Sequence, residues 1–338
     1  MSIKDKSTEY MYISARVRAI EANMPGREMV GRMLGADDAE SAAAVATESG
    51  ILRLVGDARN PELLDGLLLG RLKDALETVE TDEGGQKITP IIRYAYDCAN
   101  VKAALRCAPN NIDFADLLFD VGTLPTERYG EMVLSGYFEG LPNHMKEAAE
   151  KAKVEYAATC DPLKIDLPLD RACFADMLDA AQKLGDPFAV DYVKTKIDMT
   201  NVMIILRVLR MGMSEMTMAL LSDALIDGGK VDFDGLRKVA NLGGEADARE
   251  ELSKLIKQEY PQISEALVGR EDDLENACDS YIEAKLQTAR YVPFGVPIVL
   301  SFLCELEYEI KNIRIILAGK AAGLSQESIA QRVRGSYV

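Results

Sequence analysis

Apolar residues recur at three- and four-residue steps along much of the chain. Leu303, Leu306, Ile310, Ile313 and Leu317 follow this spacing, which places them on one face of an α-helix. Ile197, Asn201, Ile204 and Val208 repeat it, as do Ile92, Tyr96, Ala99 and Ala103. Long alternating runs of Val, Ile and Thr, the mark of half-buried strands, are hard to find. The pattern predicts an all-α chain. Its longest apolar stretch, Tyr291 to Cys304, has 14 residues and holds Pro293 and Pro297. A helix needs about 20 apolar residues to cross a bilayer, so this stretch is expected to form a buried turn leading into a helix.

A repeat lies over the helical pattern. Leu64-Asp65, Leu169-Asp170 and Leu274-Glu275 recur at steps of 105 residues. Further along each copy an acid precedes an asparagine by three positions: Asp97 with Asn100, Asp198 with Asn201, and Glu309 with Asn312. Leu105, Leu206 and Leu317 each follow five positions after the Asn. Asp113, Ser214 and Ser325 come next, residues whose short side-chain oxygens suit a helix N-terminus. Thr8, 105 residues before Asp113 and ahead of Tyr12, Ala15 and Ala19, is the matching start of the first copy.

Turn signals fall at equivalent places. Glu83-Gly84-Gly85, Gly185-Asp186-Pro187 and Pro293 to Pro297 separate the two landmark helices of each copy, while Asn23 to Gly26, Val121 to Pro125 and Asp227 to Lys230 follow each opening helix. The expectation is three similar helical domains, 1–109, 110–212 and 213–338. Three such copies can stack as a solenoid, or close about a pseudo-threefold axis and leave a central depression.

Composition narrows the partners. Among 338 residues there are 39 basic and 55 acidic side chains, a net charge of −16. That balance disfavours nucleic acid and anionic lipid surfaces, which are bound by clustered Lys and Arg. The first residues mix charges where an export signal would be apolar. The six cysteines, Cys98, Cys107, Cys160, Cys173, Cys278 and Cys304, form no CxxC pair and are expected to stay reduced, as small buried hydrophobes.

Catalytic chemistry is hard to place. His144 is the only histidine, which argues against multi-histidine metal sites and His-based relays; its neighbours suggest an exposed loop or helix start. Gly319-Lys320 is followed by Ala321 and cannot form a phosphate loop, and neither G-x-G-x-x-G nor G-x-S-x-G occurs. Glu271-Asp272-Asp273 and Asp37-Asp38-Ala39-Glu40 lack the four-residue carboxylate spacing of magnesium-diphosphate sites. No catalytic, cofactor or metal residue is therefore expected. The acid/Asn pairs at Asp97/Asn100, Asp198/Asn201 and Glu309/Asn312 share helix faces and read as structural polar contacts between helices. Lys102 and Arg314 stand two residues after their Asn, where the middle copy has Met203.

The C-terminal portion carries a resemblance. Tyr291-Val-Pro-Phe-Gly-Val-Pro through Glu309-Ile-Lys-Asn-Ile-Arg-Ile-Ile to Lys320, then Gly323-Leu-Ser-Gln-Glu-Ser-Ile329 and Arg332 to Tyr337, resembles the C subunit of archaeal A-type ATP synthases, the relative of the d subunit of V-type ATPases. Tyr12-Ile-Ser-Ala-Arg-Val-Arg-Ala-Ile-Glu21 looks like the opening helix of that family. Val296 and Cys304 depart from its pattern, standing where more polar residues are expected. The resemblance implies a funnel of three helical domains with no catalytic centre of its own. It implies a rotor subunit on the cytoplasmic side of the cell membrane, peripheral and without a transmembrane segment. Its partners would be stalk subunits D and F and the membrane proteolipid ring, built of K-type subunits, and it would not work as a homo-oligomer. The activity would be that of the whole complex: proton- or sodium-driven ATP synthesis and the reverse pumping. On the residues alone, a helical-repeat scaffold for another soluble assembly stays open, with a magnesium-dependent diphosphate enzyme more distant.

Overall fold

Helices form wherever the three- and four-residue periodicity runs, and among the described residues there is no strand. The computed structural model describes residues 9–22, 24, 27–48, 61–110, 112–210, 215–242, 244–269 and 274–333. In chain order the helices are α1 (Met11–Glu21), α2 (Arg27–Gly35), α3 (Ala39–Glu48), α4 (Pro61–Val79), α5 (Glu83–Ile88) and α6 (Pro90–Cys107). Then come α7 (Thr126–Ser135), α8 (Asn143–Thr159), α9 (Leu163–Leu184), α10 (Pro187–Arg210), α11 (Glu215–Ala224) and α12 (Phe233–Ala240). The last are α13 (Glu245–Ile256), α14 (Pro261–Gly269), α15 (Leu274–Gln287), α16 (Val296–Ala321) and α17 (Gln326–Ala330).

These helices group into two compact units, one of Met1–Thr89 with Asp279–Val338, the other Pro90–Cys278. In the first unit the chain's opening wraps a helix from near its end: α1 to α5 and α17 all pack against α16. Helix α16 is apolar on every side at its N-terminal half, with Ile298, Val299, Leu300, Phe302, Leu303 and Cys304 all buried. A helix hydrophobic all round is stable only when neighbours cover it on all sides. Helix α4 covers one side with Leu68, Leu72 and Leu76, fully buried at four-residue spacing. In the second unit α9 is central, packed against α6, α8 and α10 through Ile165, Leu169, Cys173 and Met177.

At Tyr291 to Cys304 the expected buried helix forms, as α16 beginning after Gly295 at φ +126°, but the turn leading into it is not buried: it follows the 3₁₀ turn Thr288–Tyr291, with Tyr291 91% exposed and Pro293 exposed. Val296 and Cys304, the two departures from the family pattern, are buried there, where apolar side chains fit. Gly185, at φ +68°, ends α9 in the left-handed conformation that glycine adopts without strain.

Four further local expectations are corrected. Glu83-Gly84-Gly85 is not a turn but the start of α5, because the Asp82 carboxylate accepts from Gly84 N at 2.9 Å and caps it. Its glycines serve close packing: a methyl on Gly85 would lie 1.9 Å from the Val79 carbonyl oxygen. Asp113 opens only the 3₁₀ turn Ala115–Leu117, accepting from Ala115 N at 3.1 Å, whereas Ser325 caps α17 as expected. On α6 the buried stripe runs through Ile91, Ile92, Asp97, Cys98, Val101, Ala104 and Leu105; of the expected positions Ile92 lies on it, while Tyr96, Ala99 and Ala103 are only half-buried. Cys160 is exposed at φ 54°, ending α8, while Cys98, Cys173, Cys278 and Cys304 are buried free thiols. Thr8, Asn23, Pro25, Gly26, Ser214, Glu271, Asp272, Asp273 and Tyr337 lie outside the described residues.

Candidate functional site

The repeated acid/Asn pairs sit deep in the fold: Asp97, Asn100, Asp198, Asn201, Glu309 and Asn312 are all 0–1% exposed. The first pair grips a loop. Asn100 Nδ2 donates to the Phe119 carbonyl at 2.9 Å, and its Oδ1 accepts from Phe119 N at 2.7 Å. One helix turn away, Asp97 accepts from Thr123 N at 2.7 Å, Thr123 Oγ1 at 2.7 Å and the Tyr129 hydroxyl at 2.5 Å. Arg93, another turn back, donates to the carbonyls of Val121 and Gly122 at 2.8 and 2.9 Å. One face of α6 thereby supplies hydrogen-bond partners to the partly buried backbone of the loop from Phe119 to Thr123.

The second pair does the same. Asn201 Nδ2 donates to the Ile226 carbonyl at 2.7 Å and its Oδ1 accepts from Ile226 N at 2.9 Å. Asp198 accepts from Lys230 N at 2.8 Å, Val231 N at 3.4 Å and the Tyr260 hydroxyl at 2.6 Å. In both clasps the Asp reaches the residue four beyond the one held by Asn, Thr123 after Phe119 and Lys230 after Ile226. Both also need a glycine just before that donor. A methyl on Gly122 would meet Asp97 Oδ1 at 2.4 Å, and one on Gly229 would meet Asp198 Oδ1 at 1.9 Å. Gly229→Ala is expected to cost about 2 kcal/mol or more through overpacking. Chemical denaturation checks this, and an unchanged midpoint would show the loop free to re-route.

Burial raises the carboxyl groups of Asp97 and Asp198, while their tyrosine and backbone donors hold them down. Burial raises the Tyr129 hydroxyl too, and the Asp97 carboxylate adds to it, which keeps it protonated as the donor.

The third pair is built differently. Glu309 on α16 accepts no hydrogen bond among the described residues. It faces the Arg71 guanidinium of α4, with Nη2 standing 3.1 Å from Oε1. Desolvation raises its carboxyl to about 7, against the opposing pull of Arg71.

Basic residues after the Asn complete the pattern. Lys102 pairs with Asp170 at 2.5 Å and Arg314 pairs with Asp65 at 2.6 Å. Each base thus meets the acid of a Leu-acid landmark that belongs to a different copy. The pairs lie partly open to solvent, so each adds at most about 1 kcal/mol; their value is positional.

Arg71, Arg93, Tyr129 and Tyr260 escape the sequence reading, and Gly122 and Gly229 enter it only as turn residues. For the two tyrosines the signal is chemical: a buried tyrosine must find an acceptor for its hydroxyl. His144 is at the start of α8, exposed as expected, with Nε2 3.4 Å from Asp179 Oδ2. A cleft of about 430 Å³ beside it is lined by Lys151, Lys164 and Arg171 together with Glu147, Glu155 and Asp223, mixed charges that favour neither an anion nor a cation. Among the described residues no cluster of His, Cys, Asp and Glu could hold a metal ion.

The family model for the ATP synthase (C/AC39) subunit matches residues 13–332, the two clasps and α16 included. The chain belongs to this family. Among relatives of this ATP synthase (C/AC39) subunit is the C subunit of the A-type ATP synthase of Methanocaldococcus jannaschii, 21% identical over 95% of this chain and 85% of the relative. The chain is also similar to the C subunit of the V-type sodium ATPase of Enterococcus hirae, 20% identical over 97% of this chain and 99% of the relative. The C subunit of the A-type ATP synthase of Methanosarcina mazei is 22% identical, with 98% and 94% covered. Among the described residues, no helix of this ATP synthase (C/AC39) subunit is long and apolar enough to cross a membrane.

Proposed function

We propose that this protein is the rotor adaptor of an A/V-type ATP synthase. It would join the membrane proteolipid ring to the central stalk of subunits D and F, peripheral on the cytoplasmic side, and carry torque without catalysing any step. In this reading the repeats 1–109, 110–212 and 213–338 close about a pseudo-threefold axis as a funnel that seats the stalk.

The repeated ion pairs support closure most directly. Lys102 of the first repeat meets Asp170 of the second, and Arg314 of the third meets Asp65 of the first. A linear stack brings only consecutive repeats together, whereas a closed set of three also joins the last to the first. Dense helix packing supplies stiffness under tangential load. Asp97, Asn100, Asp198 and Asn201 would serve the same end as structural repeat positions, fixing loops that would otherwise yield, with Glu309 and Asn312 as the third copy. A net charge of −16 complements basic partner surfaces.

The test is reconstitution from purified parts. The chain is expected to co-migrate on size exclusion with the D–F pair and with the detergent-solubilised ring, and to hydrolyse no ATP alone. Cross-links to the stalk should reach all three repeats. Failure to bind either partner, or turnover of an isoprenoid diphosphate with magnesium, would sink the adaptor reading.

A further inference from the structure

We propose that Cys98, Cys173 and Met177 form a three-sulfur site for a soft monovalent cation, copper(I). The site lies within the second unit, between α6 and α9, and nothing in it depends on the rotor role.

Two thiols cross between these helices. Cys98 Sγ on α6 donates to the Leu169 carbonyl of α9 at 3.5 Å, and Cys173 Sγ on α9 donates to the Tyr94 carbonyl of α6 at 3.5 Å. Leu169 stands four residues before Cys173, and Tyr94 four before Cys98. Helical side chains lean back over the turn before them, so each sulfur rests on the turn that the other cysteine covers. The two thiols therefore meet, and the Cys173 thiol is raised first by its hydrogen bond to Cys98 and then by burial. A third sulfur joins from one turn further along α9, with Met177 Sδ 3.9 Å from Cys173 Sγ. All three residues are buried.

The ligand set selects the metal. Thiolate and thioether sulfurs favour copper(I), whereas calcium, magnesium and manganese take oxygen. A structural zinc site needs four ligands, and among the described residues no His, Asp or Glu completes a metal-binding group with the two thiols. The spacing agrees. In a trigonal site with metal–sulfur bonds of about 2.3 Å the sulfurs stand about 4 Å apart, as those of Cys173 and Met177 already do.

Binding exchanges two thiol protons for one Cu⁺, with no change of oxidation state. Loss of those protons strands no acceptor, because in α9 and α6 the Leu169 and Tyr94 carbonyls already hold the backbone N–H groups of Cys173 and Cys98. Copper(I) on two thiolates carries one net negative charge, and two lysines answer it. Lys196 of α10 attracts the Cys173 thiolate. Lys102, four residues after Cys98 on the same helix face, is pulled down by burial yet raised overall by Cys98 and Asp170.

The experiment titrates the full chain anaerobically with copper(I) against a bathocuproine chelator, both as folded and after refolding with the metal. Wild type is expected to retain one copper(I) per chain, with three sulfurs at about 2.3 Å by X-ray absorption. Cys98→Ala and Cys173→Ala are each expected to weaken binding at least about a hundredfold, more than loss of an outer-shell partner costs. Met177→Leu, which conserves volume, should weaken it at least about tenfold and remove one sulfur from the absorption spectrum. Cys107→Ser/Cys160→Ser, which removes the half-buried and the exposed thiol, should bind as wild type does. Circular dichroism melts confirm that each variant folds. Absence of chelator-resistant copper in both preparations overturns the site, as does copper that leaves with Cys107 and Cys160 or stays in both alanine variants. Two sulfurs in wild type, or equal binding by Met177→Leu, overturns the three-sulfur assignment.

Discussion

Asn201→Ala is expected to lower the melting temperature by roughly 10 °C. The side chain it removes holds both the N–H and the C=O of Ile226, a residue only 2% exposed. Each buried backbone group left without a partner costs about 1–3 kcal/mol, so losing both costs about 3 kcal/mol. At about 2–4 °C per kcal/mol for a body of this size, the shift is large. Asn100→Ala should lower stability less, because Phe119 is half-buried and water can replace part of what the amide supplied. Asn312, fully buried on α16, should give a loss as well. Thermal unfolding followed by circular dichroism decides the matter: unchanged melting in all three variants would refute their structural role.

The second large effect is a pH dependence centred on Glu309. Its carboxyl titrates near the ordinary 4.5 in the unfolded chain and at about 7 in the folded one, because burial penalises the anion more than Arg71 stabilises it. Below pH 4.5 both states hold the proton. As pH rises towards 7 the unfolded state releases it first, so the contribution to stability falls across that window and is level above it. Converted at 1.36 kcal/mol per pKa unit, the loss is about 3 kcal/mol. Asp97, Asp198 and Glu305 are also raised by burial and push in the same direction, so the comparison must be with Glu309→Gln, which keeps them. Denaturant unfolding at pH 4.5, 6 and 8 is expected to show wild type losing about 3 kcal/mol more than the variant. Parallel curves would mean that Glu309 is already ionised or solvated in the folded chain. Arg71→Leu should steepen the wild-type loss, because an unpaired buried charge is costlier than a paired one.

Sequence and structure meet unevenly around these residues. The spacing of Asp97 and Asn100, repeated at Asp198 and Asn201, placed each pair on one helix face. Their role as loop clasps was not visible, because the groups they hold lie 19 to 33 positions later across loops of different length. The tyrosines that complete the clasps come from different elements, Tyr129 inside α7 and Tyr260 just before α14, so no fixed offset could reveal them. Glycines at 84 and 85 read as a turn, yet they lie in a capped helix pressed against Tyr10 and Val79. A glycine demanded by a close approach looks the same in sequence as one demanded by a turn.

By itself, the amino-acid sequence determined the helical class, the 105-residue recurrence and the residues that mark it, because helix periodicity and capping are local and are written within a few positions. Tertiary structure alone decided what those marks touch: Asp65 meets Arg314 across 249 positions, and among the described residues Glu309 has Arg71 before it and no hydrogen-bond donor. Such contacts depend on which apolar faces bury one another, a property of the whole chain that no short stretch of it contains.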